Sequence, residues 1–199
     1  MTDPRPAEHR LTDLIRADFA GFMALDTVQD RSAMRRRFDV LTLPGFWAVV
    51  LYRVSARLHQ VGLFPLARLV MMLNFVLFSC EISPRLSAGP GLVIPHPQAI
   101  ELGAGVVLGN RVKLLRSVGM GTAGYRDPSR EGFPEVGDDC VIYDGAKVFG
   151  PVKVGHNSVI GTSVVLLESV PPYTTVVFRQ DLDFRTSGDP DQARRAEFG

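Results

Sequence analysis

Among the 199 residues of this chain, those best suited to proton transfer or nucleophilic attack are four histidines and two cysteines. An imidazole can take the proton of a hydroxyl while that oxygen attacks a carbonyl, which matters because an alcohol is a poor nucleophile near neutrality. His9 falls in a polar tail, His59 stands beside Gln60 at helical spacing, and His156 follows Gly155 at a turn, so all three read as surface residues. His96 has unusual neighbours. It stands in Ile94-Pro95-His96-Pro97, where two prolines limit backbone freedom. On residue chemistry alone, a lone histidine so placed is more readily structural than catalytic. No metal site is expected.

The elements that must position these residues fall into two halves. With 22 Lys and Arg against 21 Asp and Glu, the charge balance gives no electrostatic reason to expect a nucleic acid or an acidic membrane as partner. Only Cys80 and Cys140 occur, and no leader-like segment opens the chain, so a reducing cytoplasm is the expected compartment. The most apolar stretch, Val61 to Cys80, is interrupted by Pro65, Arg68 and Asn74, and no transmembrane segment is expected. From Leu11 to Phe78 apolar residues recur at helical spacing, as in Leu11, Leu14, Ile15 and Phe19. Pro44 suits the first turn of a new helix and Gly62-Leu63-Phe64-Pro65 breaks the pattern again before a helix over Leu66 to Phe78, which predicts three or more helices in an N-terminal domain over residues 1–79.

After Cys80 the rhythm becomes a six-residue beat: Ile82, Ala88, Ile94, Ile100, Val106, Val112 and Val118, resumed by Val136, Ile142, Val148, Val154, Ile160 and Leu166. Such a repeat builds one short strand and one turn per hexapeptide, so three make a triangular coil with the beat residues stacked inside. Glycines after the beat, among them Gly89, Gly137, Gly155 and Gly161, are expected to serve tight or positive-φ corners. The β-helix is expected over residues 80–175, with a C-terminal tail over 176–199. The beat lapses between Val118 and Val136, which predicts an extruded loop over residues 121–135 and a candidate wall of a binding site.

The hexapeptides, the helical approach Pro44-Gly45-Phe46-Trp47-Ala48 with Tyr52-Arg53, the entry Glu81-Ile82-Ser83-Pro84, and Ile94-Pro95-His96-Pro97 together resemble the serine acetyltransferases and related small O-acetyltransferases, with a leaning toward the polysaccharide and specialised-metabolite members. The ending Gly161-Thr162-Ser163-Val164-Val165 with Val170-Pro171-Pro172 extends the likeness. The resemblance implies a left-handed parallel β-helix and an enzyme transferring acetyl from acetyl-CoA, a co-substrate, with no permanently bound cofactor. It also implies His96 as general base and Glu81, nearly one coil earlier in the chain, as the carboxylate that orients it. For coenzyme A it points to Gly121 and Thr122, Gly145 and Ala146, and Gly161, Thr162 and Ser163; after the Pro-Pro turn Val176-Val177-Phe178-Arg179-Gln180-Asp181 departs from the family, and Arg179 there is a candidate for the phosphates. It implies a homotrimer, or a dimer of trimers joined through the helical region, with the N-terminal helices, ending with Leu69, Leu73, Val76 and Leu77, covering the open first coil.

Two departures bear on the acceptor. Pro95 stands where the serine enzymes carry an aspartate beside the catalytic histidine, and Gly132-Phe133-Pro134 stands where they carry Arg-His-Pro. A zwitterion would lose ionic partners there. Tyr125, Arg126, Arg130 and Phe133 are the alternative acceptor contacts, and the reading places a sugar, glycan or pathway intermediate ahead of serine. A catalytically degenerate scaffold is the third reading.

Overall fold

The computed structural model describes residues 9–25, 32–123 and 131–179. Among these residues four helices come first: α1 (Leu11–Met23), α2 (Ala33–Thr42), α3 (Pro44–Gln60) and α4 (Phe64–Phe78). Proline occupies the first turn of both α3 and α4, where its missing N–H leaves no intrahelical bond unmade. Ser79, at φ 51°, ends α4 in a left-handed cap and turns the chain into the first strand. Two buried polar bonds lock α3 to α4: Ser55 Oγ donates to the Ala67 carbonyl at 2.7 Å and Asn74 Nδ2 to that of Ala48 at 3.0 Å.

Strands β1 (Cys80–Ile82) to β13 (Thr175–Val176) follow among the described residues, each two or three residues long and paired in parallel. They stack into three faces. The first carries β1, β3 (Ile100–Leu102), β6 (Gly119–Gly121), β9 (Lys147–Phe149) and β12 (Val165–Leu166). The second carries β2 (Ser87–Ala88), β4 (Val107–Leu108), β7 (Glu135–Val136) and β10 (Lys153–Val154). The third carries β5 (Lys113–Leu114), β8 (Val141–Ile142), β11 (Val159–Ile160) and β13. Every beat residue is buried, from Ile82 to Leu166, so the hexapeptide reading of the core stands.

The register corrects that reading in one respect. Ile82 pairs with Leu102, Leu102 with Met120, and Met120 with Val148, so the beat residues Ile100, Val106, Val112 and Val118 belong to a second inward column two positions earlier. Coil lengths are therefore unequal. The step from Leu102 to Met120 equals that from Val148 to Leu166 and sets the regular coil. Ile82 to Leu102 is longer than this by two positions, and Met120 to Val148 is longer by ten, across the stretch where an extruded loop is expected and where residues 124–130 lie outside the described residues.

The glycines also serve a different purpose from the one expected. Left-handed corners are held mostly by other residues, including Ala99, Arg111, Ser117, Asp139, Asn157 and Ser163. Gly89, Gly109, Gly137 and Gly155 instead admit the neighbouring coil. A Cβ on Gly137 would lie 2.7 Å from the His156 nitrogen, and one on Gly155 would lie 2.2 Å from that of Pro172. Close stacking of coils, not positive φ, selects glycine here.

The open end of the first coil is capped by α1 and α3. The N-terminal helices therefore cover the first coil, while Leu69, Leu73, Val76 and Leu77 of α4 are 44–69% exposed. Asp18 and Arg53 are both buried and joined through two bonds, Nε to Oδ2 at 2.9 Å and Nη2 to Oδ1 at 3.0 Å. Arg53 also donates to the carbonyls of Ala88 and Gly89, at 2.6 and 2.7 Å, while Asp18 Oδ1 accepts the amides of Gly91 and Leu92, at 2.9 and 2.8 Å. The pair thus satisfies four backbone groups of a coil that has no coil above it. Tyr52 adds a bond to the Leu86 carbonyl at 3.0 Å, and burial pushes its phenol up to about 12. Asp18→Ala would strand a buried guanidinium, so chemical denaturation should show a loss of about 3–5 kcal/mol. A loss below about 1 kcal/mol, the value typical of an exposed pair, would contradict this role.

Candidate active site

The two extra positions of the first coil lie at His96. On the corner from the third face to the first, the left-handed residue follows the last inward residue by three positions in regular coils: Leu114 to Ser117, Ile142 to Gly145, Ile160 to Ser163. In the first coil Ile94 is followed by Ala99 (φ 57°), a span of five. Pro95-His96-Pro97-Gln98 is therefore a bulge. Ile94 and Pro97 are buried and anchor it, while His96 is exposed.

Glu81 stands beside this bulge. The Ala99 amide donates to the Ser79 carbonyl at 2.8 Å, which fixes the end of the bulge against the start of β1. Glu81 is the exposed middle residue of β1 and pairs in register with Glu101 of β3. No hydrogen bond joins Glu81 to His96 in this structure; both residues are exposed. On its other side Glu81 lines, with Arg68, Leu69, Met72 and Phe75, a groove of about 450 Å³ against α4. A recess of about 800 Å³ around Glu135, Lys153 and His156 lies at a different corner and does not include His96.

The serine acetyltransferase of Bacillus subtilis is 34% identical to this chain over 155 residues, 77% of this chain and 70% of that protein. This chain belongs to the serine acetyltransferase family. The family consists of acetyl-CoA-dependent O-acetyltransferases, and acetyl-CoA is the co-substrate. The Escherichia coli K12 enzyme is 33% identical over 152 residues, 76% of this chain, and the chain spans about half (54%) of that relative's length. Among solved structures, Neisseria gonorrhoeae serine acetyltransferase in complex with serine aligns with TM-score 0.73 and 28% identity over 85% of this chain and 67% of that one. Isoform 3 from Entamoeba histolytica, in complex with cysteine, aligns over 92% of this chain and 64% of that one with TM-score 0.77; at 23% identity it speaks to the fold alone. The left-handed parallel β-helix with N-terminal helices is the fold of this family. No protein-family model matches the chain. The leaning toward polysaccharide members finds no support in these relatives, which are serine acetyltransferases.

Within this family member the remaining expected residues divide by corner. Gly145, Gly161, Thr162 and Ser163 lie on the same corner as His96, in later coils, with Thr162 and Ser163 exposed. Ala146 is fully buried, its amide bonds the Tyr143 carbonyl and its carbonyl accepts from Gly119, which leaves it nothing to offer coenzyme A. The amides of Gly145 and Gly161 are likewise used between coils, by Arg116 and Val176. Gly121, Thr122 and Phe133 sit at the opposite edge of the first face. Phe133 is not a free wall: its ring packs on Gly103 and Gly105, and a Cβ on Gly105 would fall 2.2 Å from a ring carbon. Arg179 is exposed, and Tyr125, Arg126 and Arg130 lie outside the described residues.

Sequence reasoning missed Asp18. Its signal was present, because Leu11, Leu14, Ile15, Asp18 and Phe22 form one helical stripe, and a carboxylate inside an apolar stripe calls for a buried partner. Neither cysteine serves the site. Burial pushes the Cys80 thiol up to about 12 and raises that of Cys140 as well. The native protein should therefore give no rapid colour with an aromatic disulfide reagent at about pH 8 and react at both thiols after denaturation; fast native labelling would contradict the burial.

Proposed function

We propose that this protein transfers acetyl from acetyl-CoA to the hydroxyl of serine, with His96 as general base and Glu81 orienting its imidazole. The observation that carries the reading is the bulge, which lifts an exposed histidine out of an otherwise regular coil beside an outward carboxylate, in a chain whose relatives are serine acetyltransferases. The acceptor oxygen attacks the thioester carbonyl while its proton passes to His96. Collapse of the tetrahedral adduct expels the coenzyme A thiolate, which takes that proton back. Glu81 closing on the imidazole holds its tautomer and offsets the positive charge formed in the transition state.

In one chain, His96 and the loop's edge of the first face stand apart, and a homotrimer that sets a neighbour's loop against His96 would bring them together. Arg126 or Arg130 then supplies the cation for the serine carboxylate that Gly132 does not. Thr162, Ser163 and Arg179 serve coenzyme A, and the cytoplasm is the compartment where that co-substrate is met. A second reading, a sugar or other pathway hydroxyl as acceptor, is favoured by one observation: Pro95 makes apolar the position beside His96 where a zwitterion needs charge.

His96→Ala should lower turnover by about 10²- to 10⁴-fold with coenzyme A binding nearly intact, and Glu81→Gln should cost less. Wild-type rates in both variants would sink the mechanism and leave a binding scaffold. Release of free thiol with serine, sugars and nucleotide sugars as acceptors tests the substrate: serine should be preferred, and preference for a sugar would install the second reading. Arg126→Ala or Arg130→Ala should raise the serine KM by a factor equivalent to about 1–3 kcal/mol, and a change in neither would refute the assigned cation.

A further inference from the structure

Helix α3 starts directly against the chain that carries His96. A Cβ on Gly45 would lie 1.8 Å from the Ile94 carbonyl oxygen and 2.9 Å from that of Pro95. Any side chain at this position forces α3 or the Ile94–Pro95 backbone to move by about 1 Å or more. The contact continues a line of support. Tyr52 holds Leu86, Arg53 holds Ala88 and Gly89, Asp18 holds Gly91 and Leu92, Gly21 lies against Val93 with room for no Cβ (2.7 Å), and Gly45 meets Ile94 and Pro95. The next residue is His96.

We infer that Gly45, at the end of this line, is a positioning residue for His96: the start of α3 sets the height and direction of the bulge on which the imidazole is carried. The inference rests on His96 being the base. Glycines such as Gly137 and Gly155 admit close approach between coils, but Gly45 admits a helix to the segment entering the one corner that is two positions longer than its fellows. The far end of this corner keeps its ladder bonds, Ala99 N–H to the Ser79 carbonyl and Ser117 N–H to that of Gln98, but Pro95 and His96 make no backbone bond, so the near end needs another support. The helix supplies one through backbone contact, which has no rotamer freedom and places the segment more narrowly than a side chain could. Displacement of a catalytic group by about 1 Å lowers rates by as much as 10²-fold, so this contact lies on the scale of catalysis as well as of packing.

The test uses the full-length protein. Gly45→Ala should lower kcat by about 10- to 100-fold while KM for acetyl-CoA stays within about twofold. A structural role alone would not move the imidazole, so the second readout is the ring resonances of His96 in a long-range 1H–15N spectrum, assigned with His96→Ala. They should shift in Gly45→Ala, while those of His59 and His156 remain in place. A folded Gly45→Ala protein with wild-type kcat and unmoved His96 resonances overturns the inference. If Gly45→Ala does not fold, Arg53→Lys decides, since it keeps the buried charge but cannot make every bond to Asp18, Ala88 and Gly89. It should lower kcat several-fold and shift His96, and no change in either refutes the line of support. Full activity in His96→Ala would be a failure of the functional reading, which the resonances of His96 in the Gly45 variant do not depend on.

Discussion

A parallel β-helix must end somewhere, and the backbone at its end has no next coil to bond. In this protein that constraint is met by the buried pair of Asp18 and Arg53, which offers acceptors and donors to Ala88, Gly89, Gly91 and Leu92. An ion pair of this kind gains little over apolar residues by attraction alone, since both partners leave water. What it gains here is direction. Arg53 Nη1 and Nη2 and Asp18 Oδ1 are each spent on specific backbone groups, so the helices are docked in one orientation, and the coil they dock on is the one that carries His96.

Much of this was legible in the sequence, because period-six burial is reported by side chains alone. The helical half, the change of rhythm at Cys80 and the place of the lengthened coil all follow from where apolar residues fall. Coil length was not legible. Each strand of the first face buries residues two apart, as Ile100 and Leu102 show, so the longer step from Ile94 to Leu102 hides behind the regular beat from Ile94 to Ile100. The bulge that singles out His96 was therefore invisible to the same count that revealed the fold, and its importance had to be borrowed from the family.

The candidate site shows a second limit. Phe133 stands at the position of a recognition histidine in the serine enzymes, and by alignment it faced the acceptor; in space its ring rests on Gly103 and Gly105, whose lack of side chains makes the seat. Ala146 was likewise aligned with a ligand contact but is spent on the core. Alignment preserves position along a coil, whereas a side chain's direction depends on which neighbours are small. Glu81 and His96 escape that problem because both lie on outward positions that packing leaves open.

The unequal coils also divide the protein by what evolution or an engineer can exchange. The coils from Leu102 to Met120 and from Val148 to Leu166 share one length and meet their neighbours through the same close seams, so, with Thr162, Ser163 and the seat of Phe133 at Gly103 and Gly105 kept, they can be duplicated or swapped with those of another such helix without disturbing the ladder's phase. The two longer coils, from Ile82 to Leu102 and from Met120 to Val148, are addresses. Each is tied to one place, the first to its helical cap and the other to its loop. A chimaeric version of this protein can exchange its regular stretches far more readily than either of the irregular coils.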